Sequence, residues 1–353
     1  MPLSYFKNIL CEVTMELIKS GAKQYKANLH CHSNLTDGRL TPEELKKMYK
    51  EHGYSVLAIT DHEYPVDHSE LSDDDFVMIT GYEAYIRPSK DCVYDIYSEE
   101  IHINLLAKEP HNTAYVNFTD LYCKYVKDEA VRRGFKKVGS SEPRRYTVEY
   151  INSFVENAKA NGYLCAYNHP TWSLERDEQI MQYRGFFSME MCNYGAHLIS
   201  ENEYNARIYD RFLREGVRIF CHSADDNHNG SPVGSPKCDS FGGFAMIQAK
   251  ELSYSSIIEA LECGDFYSSM GPEIHSLSVE GDKVHITTSP ARKIIMHYGA
   301  KSTRYFASFE DDLTEAEFTI PKEAPYVRFS VINTRGQAAD TRGYFRDELN
   351  ILA

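Results

Sequence analysis

The chain of 353 residues predicts an α/β protein with a parallel sheet, followed by a small antiparallel β domain. Three observations lead there. Short apolar, β-branched runs alternate with amphipathic helical segments over about 250 residues, the pattern of a parallel sheet that is either doubly wound or closed as a barrel. Histidines and carboxylates recur at the ends of those runs, where sites of parallel α/β architectures are built. After Gly271-Pro272 the helical spacing stops and short alternating strands take over.

The elements follow in order. "KANLHCH" reads as a strand. Thr41, Pro42 and Glu44 then supply a helix N-cap, first-turn proline and capping-box partner, with Leu45, Met48 and His52 on one face until Gly53. "SVLAIT" is a buried-strand run that ends at Asp61 and His62. Further strands are predicted at "FVMIT", "IHINLLA", "YLCAYN", "FFSMEM", "VRIFC" and "GFAMIQA", and helices at "TVEYINSFVENAKANG" and "SENEYNARIYDRFLREG", each closed by glycine. The predicted division is one domain over 1–271, with a short N-terminal extension at 1–23, and a small β-sandwich-like domain over 272–353, where "HSLSVEGDKVHITTS", "KIIMHYG", "EFTIP" and "YVRFSVIN" are strands. No period of 20 to 50 residues repeats, so solenoids are excluded.

Composition bounds the function. A formal charge of -14 argues against duplex nucleic acid as a partner. Nine cysteines without a CxxC pair suit reduced thiols and a cytoplasmic setting. The first 21 residues lack the apolar run of a signal peptide or a membrane span, so no membrane partner is expected.

The chemistry begins at "NLHCHSNLTDGRLTPEEL". Residues two apart on a strand face one way, so His30 and His32 can grip one ion while Cys31 points away, and Asp37 follows in the next turn. Comparable residues close the later strands: His62, Glu83, His102, His169, and then Asp225, Asp226 and His228. A lone histidine near a strand is usually a hydrogen-bonded structural group. It is the co-location of so many at strand ends that points to a metal centre. Between the paired aspartates, Asp226 repeats the two-apart spacing with His228, which leaves Asp225 as a supporting group. His222 is expected to hydrogen-bond a ligand carboxylate, and Arg87, Arg176 and Arg184 are candidates to clamp a phosphate or to be solvated.

These residues resemble the PHP family, named for polymerase and histidinol phosphatase domains. "HCHSNLTDG" is similar to its first motif and "ITDH" to its second; Glu83 in "GYEAY", His102, "NHP" at His169 and "DDNH" at 225–228 follow in order. The resemblance spans about residues 24–270, and the run from "GGFAMIQAKEL" to "GPEI" is similar to two-domain bacterial metal-dependent phosphoesterases. Thr36 stands where a serine is usual, and the final motif carries a doubled aspartate.

Several expectations come from the resemblance alone. The fold would be a distorted (β/α)7 barrel. The site would be trinuclear: His30, His32, Glu83 and Asp226 on one ion, Glu83 bridging to a second held by His102 and His169, and Asp37, His62 and His228 on a third. Two to three divalent ions, zinc, manganese or iron, would serve as cofactors. A metal-bridging hydroxide would attack a small phosphorylated metabolite or short nucleotide, with Asp37, Glu83 and His228 as the candidate catalytic residues. The alternatives are a hydrolase of a carboxylic ester, amide or carbamate on the same metal core, and a non-catalytic metal-binding module.

Overall fold

The computed structural model describes residues 14–349; the first 13 residues of the expected extension, Cys11 among them, lie outside that range. Strands β1 (Met15–Ile18) and β2 (Gln24–Asn28) lead into α1 (Pro42–Glu51), β3 (Val56–Ile59), β4 (Val77–Ile86) and β5 (Ile101–Ala107). A segment with β6 (Tyr115–Val116), α2 (Glu129–Gly134) and β7 (Lys137–Val138) precedes α3 (Val148–Ala160) and β8 (Tyr163–Tyr167). Then come α4 (Asp177–Ile180), β9 (Ser188–Asn193), α5 (Tyr194–Ser200), α6 (Ala206–Arg214), β10 (Phe220–Ala224), β11 (Phe244–Gln248), α7 (Tyr254–Cys263) and β12 (Phe266–Ser269). The remainder is all strand: β13 (Ile274–Glu280), β14 (Lys283–Ala291), β15 (Lys293–His297), β16 (Arg304–Ala307), β17 (Leu313–Thr319), β18 (Tyr326–Ile332), β19 (Ala338–Thr341) and β20 (Tyr344–Phe345).

Local chemistry explains the well-placed elements. Thr41 caps α1 by accepting from the Glu44 N–H, and the Glu44 carboxylate accepts from the Thr41 N–H, closing the expected capping box. Leu45 and Tyr49 are the buried face of that helix. Thr147 caps α3, whose Ile151, Phe154, Val155 and Ala158 pack into the core at helical spacing.

The large sheet runs β10-β9-β8-β5-β4-β3-β2-β11-β12-β19-β18-β15-β16, with β20 beside β18. It is not wholly parallel. Strands β2, β3 and β4 are parallel, as are β8, β9 and β10, but β5 is antiparallel to both β4 and β8, and β11 is antiparallel to β2 and β12. A parallel return needs a crossover, usually helical, and the connection from β4 to β5 contains no helix, so the chain comes back antiparallel. The hydrogen-bonded order does not close on itself among the described residues, although β10 folds back against β12, where Ser223 and Ser268 hydroxyls meet at 2.7 Å. The helix expected over 200–216 starts only at Ala206, because Glu201 takes the left-handed conformation and ends α5.

Strands β1, β13, β14 and β17 form a separate four-stranded antiparallel sheet. The other C-terminal strands extend the large sheet, and one apolar cluster runs from Ile18, Leu45 and Met78 to Val284, Ile294 and Val331. Arg328 is the main polar tie across this join. Its guanidinium, on β18, donates to both Asp210 oxygens at 2.7 and 2.8 Å on α6 and to Asp340 at 3.0 Å on β19. No helix among the described residues is long and apolar enough to cross a membrane.

Arg328→Met strands the buried Asp340 carboxylate and should destabilise the fold by about 3–5 kcal/mol. Phe309→Ser, at a side chain 98% exposed, should change stability by less than about 0.5 kcal/mol. Urea denaturation followed by circular dichroism measures both, and an Arg328→Met variant as stable as the parent would contradict the tie.

Candidate metal centre

One rim of the sheet gathers the histidines and carboxylates. His30 and His32 follow the end of β2, His62 follows β3, His169 follows β8, and Asp226 and His228 follow β10. His102 breaks the strand-end pattern in sequence, standing at the start of β5, yet it reaches the same rim because β5 runs antiparallel to β4. Glu83 sits within β4 and is 1% exposed.

Glu83 is the hub. One carboxylate oxygen lies 3.0 Å from His102 Nδ1, 3.2 Å from His30 Nε2 and 3.3 Å from His169 Nε2; the other lies 2.8 Å from His62 Nδ1 and 3.5 Å from His32 Nε2. Asp226 faces His30 Nε2 at 3.1 Å and His32 Nε2 at 2.9 Å. Asp37 lies 3.6 Å from both His62 Nε2 and His228 Nε2.

Asp225 points elsewhere: it accepts from Tyr49 Oη at 2.7 Å and from the N–H groups of Phe241, Gly242 and Gly243. Burial separates the two aspartates. It pushes Asp225 up to about 6, whereas His30 and His32 outweigh burial at Asp226 and hold it well below the usual carboxylate range. Burial also opposes charge at Glu83, but His102, His30 and His62 win and keep it ionised. At His102 burial is outweighed by Glu83 and Glu100, which raise it to about 10; at His228 Asp37 and Asp226 do the same, to about 9.

Donor atoms converge in three groups with mutual spacing suited to a metal ion: His32, Asp37, His62 and His228; His30, His32 and Asp226; His62, Glu83 and His102. His32 and His62 each face two groups, so the sets overlap more than a division into three separate ligand shells implies. The fit of divalent ions to this place is visible in the polar accounting. His32 Nδ1, Asp37 Oδ1 and His102 Nε2 are buried without a hydrogen-bond partner, a cost of about 1–3 kcal/mol each that ligation would relieve, and His62 Nδ1 and Glu83 Oε2 approach to 2.8 Å without hydrogen-bond geometry.

Residues 28–171 match the family model described as PHP domain. That stretch is similar to a PHP domain. No curated protein matches it. Among solved structures, the chain is similar to a two-domain protein containing a predicted PHP-like metal-dependent phosphoesterase from Bacteroides vulgatus, at 14% identity over 92% of this chain and 97% of that one, with a TM-score of 0.43. It is also similar to a protein from Bifidobacterium adolescentis proposed to be a metal-dependent phosphoesterase, at 15% identity over 60% of this chain and 91% of that one, TM-score 0.38. A third is an amidohydrolase from Chromobacterium violaceum with bound sulfate and no metal, at 17% identity over 57% and 87%, TM-score 0.38. None of the three reaches a TM-score of 0.5, so they add no functional argument.

Supporting residues orient the histidines. Glu190 accepts from His30 Nδ1 at 2.8 Å and from the His169 N–H, which turns His30 Nε2 toward Glu83. Ser173 meets His169 Nδ1 at 3.1 Å, and the Asp226 carbonyl accepts from His228 Nδ1 at 3.0 Å. Asp61 is no part of the converging groups; it holds the first-motif loop through the Ser33 N–H at 2.9 Å and the Thr36 hydroxyl, so the threonine keeps the donor that serine would supply. Gly38 lets that loop fold tightly, since a Cβ there would lie 2.2 Å from the His32 carbonyl oxygen.

Glu190 escaped sequence reasoning because it lies inside an apolar strand run; a lone carboxylate in "FFSMEM" was its one signal. His222 is corrected as well: its Nδ1 meets Ser188 Oγ at 2.5 Å, and no carboxylate bonds it. Of the three arginines, only Arg87 lines the cleft of about 380 Å³ over the centre. Arg176 pairs with Glu99, and Arg184 donates to the Met181 and Tyr183 carbonyls. Lys124 and Tyr125, from the segment between β6 and α2, join Arg87 at the cleft, and Tyr125 stacks on His62 at 5.4 Å.

The loop from His169 to Glu175 is pinned at both ends. Glu203 accepts from the Thr171 and Trp172 N–H groups, and Glu175 accepts from the Tyr146, Tyr167 and Tyr183 hydroxyls. Burial raises Glu175 to about 7. A carboxyl whose folded pKa lies above its unfolded value binds more protons when folded, so its stabilising contribution is lost as pH rises from about 4.5 through about 7. Across that window Glu175→Gln should gain stability relative to the parent by on the order of 1–3 kcal/mol. Denaturant midpoints measured at both pH limits decide it; a difference between the two proteins that does not vary with pH would refute the assignment.

Proposed function

We propose that this protein is a metal-dependent phosphoesterase acting on a small phosphorylated compound, with a metal site formed by His30, His32, Asp37, His62, Glu83, His102, His169, Asp226 and His228. The observation that carries the reading is the buried Glu83 carboxylate facing histidine nitrogens on both oxygens, beside orphaned atoms of Asp37 and His102, two residues that line one cleft. Divalent ions held there supply Lewis-acid chemistry, lowering the pKa of water and neutralising phosphoryl charge.

The chain's own groups do the rest. Glu190, Ser173 and the Asp226 carbonyl fix which nitrogen of His30, His169 and His228 faces the cleft. Arg87 and Lys124 place positive charge beside it, although Arg87 is already paired with Glu100 and Lys124 donates to the Cys92 carbonyl. An incoming phosphate competes for both cations and gains charge-assisted hydrogen bonds in a protein that is otherwise acidic. Trp172 and Tyr125 wall the cleft and restrict water. The scaffold is read as a distorted (β/α)7 barrel, supported by the return of β10 against β12.

The test is hydrolysis of phosphomonoesters, phosphodiesters and aryl carboxylic esters by protein supplied with zinc, manganese or iron. Phosphate release that a chelator abolishes is expected, and Asp37→Asn should lower it on the order of 10²- to 10³-fold. Cleavage of carboxylic esters without any phosphoester cleavage would favour the ester or amide hydrolase instead.

A further inference from the structure

A second cavity, of about 610 Å³, adjoins the metal cleft. The two share Trp172, Asp226 and His228 as walls and differ in chemistry. The cleft side carries Arg87 and Lys124, whereas the second cavity gains an apolar wall from Ala196, Leu198 and Ile199 on α5 and from Pro236, with Lys237 and Asp239 completing its lining. Ile199 is 83% exposed and Trp172 40% exposed, so large apolar side chains face solvent beside a buried charged centre.

The placement of α5 is built in. Asn193 caps it by accepting from the Ala196 N–H, while its amide donates to Glu190 and Asp226. The Gly195 N–H donates to the Asp225 carbonyl at 2.8 Å, and a Cβ on Gly195 would lie 2.9 Å from that oxygen. The helix therefore rests on the Asp225–Asp226 backbone, and its apolar end is fixed next to the ligand groups. On the opposite wall, Trp172 is held by its N–H to Glu203 and by edge-on packing against His102 at 5.5 Å and His169 at 4.8 Å.

We infer that this cavity is an apolar lobe of the substrate site, receiving a bulky apolar or aromatic body carried by the phosphoester between Trp172 and the Leu198–Ile199 end of α5. The inference rests on the phosphoesterase reading above and narrows its substrate class. Continuity with the cleft through three shared walls points to the occupant: the lobe is the adjoining apolar space for a group attached to a phosphoryl that ions at Asp226 and His228 would hold.

Trp172 is the chain's single tryptophan, so intrinsic fluorescence reports on this wall directly. Zinc-loaded protein is titrated with phenylphosphonate and with methylphosphonate, neither of which can be hydrolysed. Phenylphosphonate should bind at least about tenfold more tightly, since the ring leaves water. Ile199→Asp keeps the reporter and alters an exposed side chain; it should remove most of that preference and leave methylphosphonate affinity within about twofold, with Ile199→Ser intermediate. Equal affinities, no binding of either compound, or a preference unchanged in both variants would overturn the lobe. Phosphate release from phenyl phosphate is measured alongside: its absence with the binding preference intact would remove the hydrolytic reading and leave the apolar lobe standing.

Discussion

A single buried carboxylate facing five imidazoles is the constraint on which the site depends. Glu83 is completely enclosed, and an isolated ionised carboxylate in such a place would neutralise itself. It stays ionised because His102, His30 and His62 surround it, and in turn the carboxylates beside His30 and His102 outweigh burial and raise those two histidines. None of these groups is stable there alone. Removing any one leaves the others with a desolvated charge, the situation in which breaking a buried pair costs about 3–5 kcal/mol. Charge balance, more than packing, dictates what this rim can accept, and divalent ions would suit it by meeting the donor atoms that have no partner.

The sheet exists in a form that delivers those groups. Parallel strands bring His30, His62, His169 and Asp226 to one rim from their C-terminal ends, and the antiparallel β5 brings His102 to the same rim from its start. Backbone ties then fix the loops. Asp226 and His169 adopt positive φ, which is costly without glycine, and each is held by its own N–H, to the His30 carbonyl and to Glu190 respectively. The same ties seat α5 and Trp172 on either side of the centre, so the shape of the cleft follows from how its polar groups are satisfied.

Much of this was legible in the sequence, for identifiable reasons. Helix α1 carries its own start signal in Thr41, Pro42 and Glu44, and the core strand β3 is an unbroken apolar run. Ordered motifs marked the metal-type residues, because a histidine pair two apart or an aspartate before a histidine survives without knowledge of topology. What the sequence concealed depends on contacts between distant segments. The antiparallel turn of β5 lies in an irregular connection, Glu190 reads as part of an apolar strand, and Glu203 falls in a stretch with good helical pattern but serves Thr171 and Trp172 from a loop. Lys124 and Tyr125 come from a segment with little periodicity, and only folding brings them to His62.

Elemental analysis of metal content in Glu83→Gln and Asp37→Asn, each reloaded with zinc beside the parent, tests the central role of Glu83 most directly. Glu83 faces His30, His32, His62, His102 and His169, whereas among the histidines Asp37 faces His32, His62 and His228. The expected result is at least two ions in the parent, a loss of one ion at most in Asp37→Asn, and a greater loss in Glu83→Gln. Full occupancy in Glu83→Gln, or equal losses in the two variants, would contradict the account.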